Sequence, residues 1–376
     1  MEVLIHEVKS KGDLKKFIFL PEKIHVHHAN WVPPVYADEW KFYDGKYNKS
    51  ILESDTILLL ARRGEEVVGR IMGIINKKYN ALQKETTARF FNFECYDDAD
   101  VSHAMIDAIE KWALKKGMTR MIGPFGFSDK DPQGLQVEGF EYLPVIATAT
   151  NSPYLKELVE REGYEKQVDC VVYKLPVPEK APDLYQRVYD RLIQNKKMKL
   201  VEFKSRRQLR PYIVPVLRLV NETYGSIFGF TPLSEEEMYQ LAGRYLPVLD
   251  PAFTKLVVDM NNKPIAFVIA TPDISAGIQK AKGRLFPFGF IHILSSGKKS
   301  KQLDLFLGAV DEKYQGAGVT ALLGVSLFKT AWQRGLEYID SHLILETNKP
   351  MRDVMERLGA AVYKRYRVYK KELSES

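Results

Sequence analysis

The chain has 376 residues, of which 45% are hydrophobic and 27% charged, with two cysteines and a formal net charge of +7. These values indicate a globular protein of two or three domains of about 100–200 residues and exclude a small fold that needs disulfides or a metal to hold it together. Because no apolar run approaches about 18 residues and no signal-peptide pattern opens the chain, we expect a cytoplasmic protein with no membrane partner.

The positive charge is concentrated in residues 196–210 and 298–301. A basic surface attracts anions such as nucleic acid, anionic lipid or a polyphosphorylated cofactor. Neither cluster is interleaved with aromatic residues in a base-stacking pattern, so a nucleic-acid partner is not expected. No group of His, Cys and acidic residues has metal-ligand spacing, so no metal site is expected either.

Residues 1–177 are predicted to form one domain that mixes strands and helices. Its predicted elements, in order, are strands at 3–8, 56–61, 67–76 and 89–95, a helix that ends at Gly117, and a strand at 118–122. Three acidic residues, Asp97, Asp98 and Asp100, stand where this helix begins and are suited to capping it.

An internal repeat divides the chain into two similar halves. The segment Glu160–Gly163 is followed nine residues later by Val-Tyr-Lys, and Glu356–Gly359 is followed nine residues later by the same three residues. We therefore predict two copies of one α/β unit, each a mixed central sheet flanked by helices. The proline-rich stretch 175–182 is a stiff linker between them, which gives domains at 1–177 and 178–376.

The second half ends in an ordered series of elements around two glycines. The predicted elements are a hairpin at 255–259 and 264–270, the apolar segment 288–294 leading into a strand at 302–310, a helix that ends at Gly335, a strand at 338–345, a helix at 351–358 and a final strand at 360–371. Gly316 and Gly318 lie in the turn that opens the first helix. Such a turn exposes backbone N–H groups at the positive end of a helix dipole, where a phosphate or diphosphate binds. An ordinary turn with glycines for close packing is the alternative.

The turn reads Gln315-Gly316-Ala317-Gly318-Val319-Thr320. It differs from the dinucleotide and Walker patterns and resembles the (Gln/Arg)-x-x-Gly-x-(Gly/Ala) loop of the GNAT acyltransferase superfamily, with Thr320 where glycine or alanine is usual. The resemblance implies two tandem GNAT domains, with acetyl-CoA or another acyl-CoA as co-substrate in the second. By that resemblance the CoA-binding residues are Leu307, Ala309, Val310, Gln315, Gly316, Ala317, Gly318, Val319, Thr320 and Asn348. The first half has acidic residues in place of the glycine turn and is expected to have lost this function.

The catalytic residues implied by the resemblance are a carboxylate that accepts the amine proton and a tyrosine that protonates the leaving thiolate. The usual tyrosine position, seven residues after Asn348, is Met355, which has no proton to donate. Substitutes in the chain are Glu346 as the base and Tyr363 or Tyr366 as the acid. The alternative for each is a structural role, as a partner of a helix end or in packing.

Three functions fit these observations. The leading one is an acyl-CoA-dependent N-acyltransferase, transferring an acetyl group to the amine of a small molecule or peptide. The second is an acyl-CoA-binding scaffold without catalysis. The third is a ligase that uses aminoacyl-tRNA, which also occurs among tandem GNAT proteins, although a tRNA-linked donor does not need a diphosphate-binding turn. The sequence leaves the acceptor, the acyl length and the oligomeric state open.

Overall fold

The computed structural model describes residues 2–148, 150–194, 197–246 and 249–374. Lys196, in the first basic cluster, lies outside these ranges. The strands are β1 Val3–Glu7, β2 Ser54–Arg63, β3 Glu66–Asn76, β4 Thr87–Cys95, β5 Arg120–Gly123, β6 Leu135–Glu138, β7 Glu165–Pro176, β8 Met198–Glu202, β9 Thr254–Asp259, β10 Pro264–Pro272, β11 Gln302–Val310, β12 Tyr338–Asp340, β13 Ile344–Leu345 and β14 Ala361–Glu372.

Helices cover the sheet that these strands form. They are α1 Lys11–Ile24, α2 Tyr36–Phe42, α3 Lys49–Glu53, α4 Lys77–Gln83, α5 Ala99–Lys115, α6 Tyr154–Arg161, α7 Asp183–Ile193, α8 Arg206–Leu209, α9 Ile213–Thr223, α10 Glu235–Tyr245, α11 Ser275–Lys280, α12 Gly289–Lys299, α13 Val319–Gln333 and α14 Lys349–Arg357. Among the helices in the described ranges, none has the length and apolar content needed to cross a bilayer.

The two halves repeat one order of elements, as the sequence predicts. In the first half β4, α5, β5, α6 and β7 follow one another, and in the second half β11, α13, β12, α14 and β14 do the same. The last strands, β7 and β14, both contain 12 residues. This mixed α/β architecture confirms the predicted fold class.

The last strand of each half pairs with the other half. The main path of the sheet runs β1-β2-β3-β4-β5-β14-β7-β12-β11-β10-β9-β8, so β14 lies between β5 and β7, and β7 lies between β14 and β12. Arg367 on β14 donates two hydrogen bonds to the Asp169 carboxylate on β7, at 2.8 and 3.1 Å. One continuous sheet therefore passes through both halves, and the predicted domain boundary at residues 177 and 178 stays a prediction.

Each half contains one pair of parallel strands that part after three residues. In the first half, residues 87–89 of β4 pair with 120–122 of β5. In the second half, residues 302–304 of β11 pair with 338–340 of β12. Beyond that point β11 stays beside β10, whereas the chain after β12 continues along β7, with which β12 already pairs, and forms β13. The second half therefore has a wedge-shaped gap between β11 and the segment that follows β12.

The predicted element boundaries agree well with the structure except between β10 and β11 and in the predicted strand at 338–345, which is interrupted at 341–343 and forms β12 and β13. The strand at 302–310, the opening of α13 at Val319 and the last strand lie within a residue or two of their predicted places. Residues 273–301, for which the sequence predicts only an apolar segment at 288–294, contain α11 and α12. Gly277 on α11 permits this, because an added Cβ there would lie 2.7 Å from the backbone of α12, so the two helices cross at close range.

Candidate functional site

The turn between β11 and α13 has the backbone that its glycines allow. Gly316 has φ of 74° and Gly318 has φ of 82°, both in the left-handed region that favours glycine. A Cβ added to Gly316 would meet no atom within 4 Å, whereas one added to Gly318 would lie 2.6 Å from Val188 Cγ1 on α7. Gly316 therefore faces open space, and Gly318 is needed for contact with α7.

Four of the six backbone amides in the turn at 315–320 have no acceptor within the described part of the chain, whereas those of Gln315 and Ala317 donate to Glu312 and Tyr314. No hydrogen bond is made by the N–H groups of Gly316, Gly318, Val319 or Thr320. Gln315, Gly316 and Ala317 are exposed, so no side chain plugs the turn. Free N–H groups at the start of the 15-residue helix α13 fit an anion of the size of a diphosphate.

The equivalent turn of the first half is closed by its own acidic residues. The Asp98 carboxylate is the N-cap of α5 and accepts hydrogen bonds from the amides of Asp100 and Val101. The same carboxylate lies 2.9 Å from Arg63 Nη2. The first half therefore keeps the strand and helix but uses the amides of its turn for capping, as the acidic residues in the sequence predict.

A β-bulge on β11 and a kink after β12 bring two rings together at the wedge. Ile269 pairs with Leu307 and Ala270 with Leu305, so Phe306 has no partner on β10. Bulges of this kind redirect a side chain next to functional sites. The Phe306 ring lies 5.8 Å from the His342 ring, measured between centroids.

His342 occupies an unusual backbone position that Asp340 supports. Its φ is 57°, and its backbone N–H donates to Asp340 Oδ1 at 2.6 Å. Its Nε2 lies 3.3 Å from the Ile146 carbonyl oxygen, so Nε2 carries the proton and Nδ1 the free lone pair. Burial lowers the pKa of His342 below its ordinary value, and Asp340 offsets only part of this. A neutral imidazole with one free lone pair can accept a proton at neutral pH.

A buried charged cluster lies directly beneath His342. Asp340 Oδ2 accepts hydrogen bonds from the Tyr363 hydroxyl and from Lys364 Nζ, the latter at 3.2 Å. Asp304 lies opposite Asp340 in the parallel register, and burial together with nearby Asp273 and Asp340 raises its pKa well above the ordinary range. Burial, and then the Asp340 charge, also raises the pKa of Tyr363, so its hydroxyl stays protonated and donates to Asp340.

The three catalytic candidates from the sequence lie in different surroundings. Tyr363 donates a hydrogen bond to Asp340, and Asp340 accepts one from the backbone of His342. Tyr363 is therefore connected to His342 through Asp340. Tyr366 is 1% exposed, and burial raises the pKa of its hydroxyl. Glu346 accepts hydrogen bonds from Lys166 Nζ at 2.8 Å and from the Asp169 amide at 3.0 Å. These bonds connect the end of β13 to β7, which is the contact expected of a structural residue.

One large cleft, with a volume of about 3120 Å³, joins the turn to the wedge. The predicted CoA-binding residues that line it are Leu307, Ala309, Val310, Gln315, Gly316, Gly318, Thr320 and Asn348. Ala317 is exposed and Val319 is buried in the core beneath the turn. Asn348 caps α14 by accepting from the Met351 amide, and Met355 is buried. His342 and Phe306 line the same cleft.

Sequence reasoning did not identify His342. The signal was present only as a histidine in Asp340-Ser341-His342, inside the segment 338–345 that the sequence predicts as one strand. Its position depends on contacts from distant residues, since Ser341 is hydrogen-bonded to Tyr173 of β7 through both its backbone N–H and its hydroxyl oxygen.

Comparison with known proteins adds two full-length relatives. The chain is 28% identical over 375 residues to a bacterial ceramide synthase of Caulobacter vibrioides, covering 97% of this chain and 96% of that protein. It is 27% identical over 379 residues to protein YghO of Escherichia coli K12, covering 98% and 95%. No family model matches the chain.

Solved structures establish the fold. A tandem GNAT protein from the clavulanic acid biosynthesis pathway superposes with a TM-score of 0.57 at 12% identity, covering all of both chains. A GCN5-related N-acetyltransferase from Sphaerobacter thermophilus gives a TM-score of 0.55 at 11% identity, covering all of this chain and 96% of that one. The chain therefore has the tandem GNAT fold, which confirms the resemblance found in its sequence.

Proposed function

We propose that the protein is an acyl-CoA-dependent N-acyltransferase that binds CoA in its second half. The observation that carries this proposal is the open turn at 315–320, whose unpaired amides face the same cleft as the wedge between β11 and β12. In this assignment the turn and Thr320 hold the diphosphate, and Leu307, Ala309 and Val310 flank the pantetheine arm.

His342 is the proposed general base, in place of Glu346. Bound acyl-CoA would supply an activated acyl group, and the amine of the acceptor would form the new C–N bond as the C–S bond breaks. The free Nδ1 of His342 takes the amine proton, and the resulting imidazolium can return it to the leaving thiolate. Tyr363 and Lys364 act as positioning residues, because they hold Asp340, which fixes the backbone of His342.

The proposed acceptor is a long-chain amino alcohol. The Caulobacter relative is named a ceramide synthase and matches nearly the whole chain. A ceramide is the N-acyl derivative of a long-chain amino alcohol, so the same reaction class needs room for two long chains. A long acyl-CoA is accordingly proposed as donor rather than acetyl-CoA.

The decisive experiment combines binding with turnover. The purified chain is incubated with acyl-CoAs from two to eighteen carbons and with a long-chain amino alcohol, a short amine or a lysine peptide. Amide formation is followed by mass spectrometry, and a long-chain diol without the amine is the matched control. We expect an amide only with the long-chain amine and a long acyl-CoA, and none with the diol.

Other outcomes of the same experiment separate the alternatives. Thermal stabilisation by acyl-CoA without product from any amine would support the non-catalytic scaffold. Stabilisation by tRNA but not by CoA would support the ligase. No stabilisation by any CoA ester would refute the assignment of the turn.

A further inference from the structure

The hairpin formed by α11 and α12 exposes five large apolar side chains on one side. The exposed fraction is 81% for Phe286, 67% for Phe288, 63% for Leu294, 50% for Ile291 and 43% for Phe290. Phe290 and Leu294 lie four residues apart and therefore on one face of the helix. The ring centroids of Phe286 and Phe290 are 6.4 Å apart. A contiguous apolar patch of this kind marks an interaction site.

Ordered contacts hold this hairpin against the first half of the chain. Gln279 Nε2 donates to two carbonyl oxygens in the segment 29–31, at 2.8 and 3.0 Å. Arg284 donates to both carboxylate oxygens of Glu22, at 2.6 and 3.1 Å. Gly277 brings α11 against the backbone of α12. The apolar side chains are therefore displayed by an element that is anchored to the first half.

The charged side chains of the hairpin segment are all basic, and two of them are paired with acidic residues from elsewhere in the chain, Arg284 with Glu22 and Lys301 with Glu337. Between residues 274 and 301 the sequence has six basic residues and no acidic one. The basic residues are Lys280, Lys282, Arg284, Lys298, Lys299 and Lys301. Lys280 and Lys282 lie before the apolar side chains, and Lys298 and Lys299 end α12, so positive charge flanks the patch on both sides. Aromatic and aliphatic side chains within a basic surround are typical of surfaces that bind anionic bilayers.

We propose that the outer face of the α11–α12 hairpin docks onto an anionic lipid bilayer. The five apolar side chains enter the boundary between headgroups and acyl chains, and the lysines contact the anionic headgroups. A second copy of this chain is a poorer occupant, because two such surfaces would bring like charges together. A protein partner is also less suited, since the centres of protein interfaces are depleted in lysine.

The hairpin that would dock onto the bilayer also forms part of the wall of the cleft. Ile293, Leu294, Gly297 and Lys298 line the cleft as well as belonging to α12. Docking would therefore direct the cleft towards the bilayer, and a lipid acceptor would enter without crossing water if the proposed function holds. The docking proposal stands without that function and departs from the sequence-based prediction of no membrane partner.

Flotation with vesicles tests the proposal on the full chain. Vesicles of phosphatidylcholine are compared with vesicles that also contain phosphatidylglycerol, at about 0.1 M and about 1 M salt. We expect binding to the anionic vesicles at low salt and loss at high salt. The double variant Phe286→Ser/Phe288→Ser should lose at least tenfold in partitioning with an unchanged Tm, because both side chains are mostly exposed. The matched control is Met260→Ser/Leu82→Ser, which removes exposed apolar side chains elsewhere and should bind normally.

A site-specific label provides a second measurement. Both native cysteines, Cys95 and Cys170, are buried, so Phe288→Cys can be labelled selectively with a polarity-sensitive dye. The dye should shift to the blue with anionic vesicles, whereas the same dye on Met260→Cys should not. Absence of wild-type flotation, or equal loss in both double variants, would overturn the proposal. A wild-type dimer that the Phe286/Phe288 double variant converts to monomer would assign the patch to self-association instead.

Discussion

Replacing Gly318 by alanine tests how closely the turn before α13 is packed against α7. The left-handed backbone at Gly318 costs a residue with a Cβ about 1–2 kcal/mol. The new Cβ would also lie 2.6 Å from Val188 Cγ1, and overpacking of this kind costs about 1–3 kcal/mol more. We therefore expect Gly318→Ala to lower the free energy of unfolding by about 2–5 kcal/mol.

Gly316→Ala is the matched control, because its φ is also positive but its Cβ would meet open space. It should cost only the backbone strain of about 1–2 kcal/mol. For 376 residues the unfolding entropy is about 0.8 kcal/mol/K, so the expected falls in Tm are about 3–6 °C for Gly318→Ala and about 1–3 °C for Gly316→Ala.

Val188→Ala identifies the cause of the difference. In the double variant with Gly318→Ala the overlap disappears, so the two changes should couple by about 1–3 kcal/mol in a double-mutant cycle. Thermal and urea unfolding of the four proteins measure this directly. Equal losses for the two glycine variants, together with additive effects at Val188, would show that the turn is not packed on α7 as described.

Three further predictions concern the binding turn, the proposed base and the junction of the halves. Thr320→Asp should weaken acyl-CoA binding by tenfold or more relative to Thr320→Asn, since two like charges about 6 Å apart at a dielectric constant of about 40 repel by about 1.4 kcal/mol. A negative charge at the start of a helix stabilises the fold, so unfolding would not explain weaker binding. Equal dissociation constants for the two variants would refute diphosphate binding at this turn. His342→Asn should reduce kcat about 10²–10⁴-fold and leave CoA affinity unchanged, because asparagine tolerates the left-handed backbone. In the wild type the rate should fall only below about pH 6.5, because burial lowers the pKa of His342. A kcat of the variant within threefold of the wild-type value would exclude His342 as the base. Asp169→Asn should cost about 3 kcal/mol at pH 7 in urea unfolding. Burial alone would raise the pKa of Asp169, but Arg367 and Lys166 outweigh burial and lower this pKa below 3.8. The stabilisation from the ionised Asp169 is therefore present at pH 7 and lost as the pH falls through the lowered pKa, so the variant should lose less stability than the wild type between pH 7 and pH 3. Equal losses of stability in acid would count against the pairing of Asp169 with Arg367.

The parts of the fold that local sequence determines were predictable. Gly316 and Gly318 predict a turn with positive φ, and the periodic apolar residues from Val319 onwards predict the helix that follows. The repeat of Glu160–Gly163 at Glu356–Gly359 indicated the duplication, and the two halves do repeat one order of elements. These signals need no knowledge of distant partners.

The parts that depend on distant contacts were not predictable. The sequence predicts only an apolar segment at 288–294, whereas residues 289–299 form α12, because Gly277 allows α11 to cross it closely. The orientation of His342 depends on Asp340, which is held by Tyr363 and Lys364 of β14. No spacing rule in one sequence reveals a network whose members lie on different strands.

The exchange of β7 and β14 between the halves has a consequence for synthesis. β5 is bordered on one side by β14, which is synthesised after every other strand that the structure describes. Until then, one edge of the first half has no partner, although all of its own strands already exist. Nascent chains that lack residues 361–372 should therefore expose that edge and depend on chaperones, and the sheet of the first half is completed only once β14 has been synthesised.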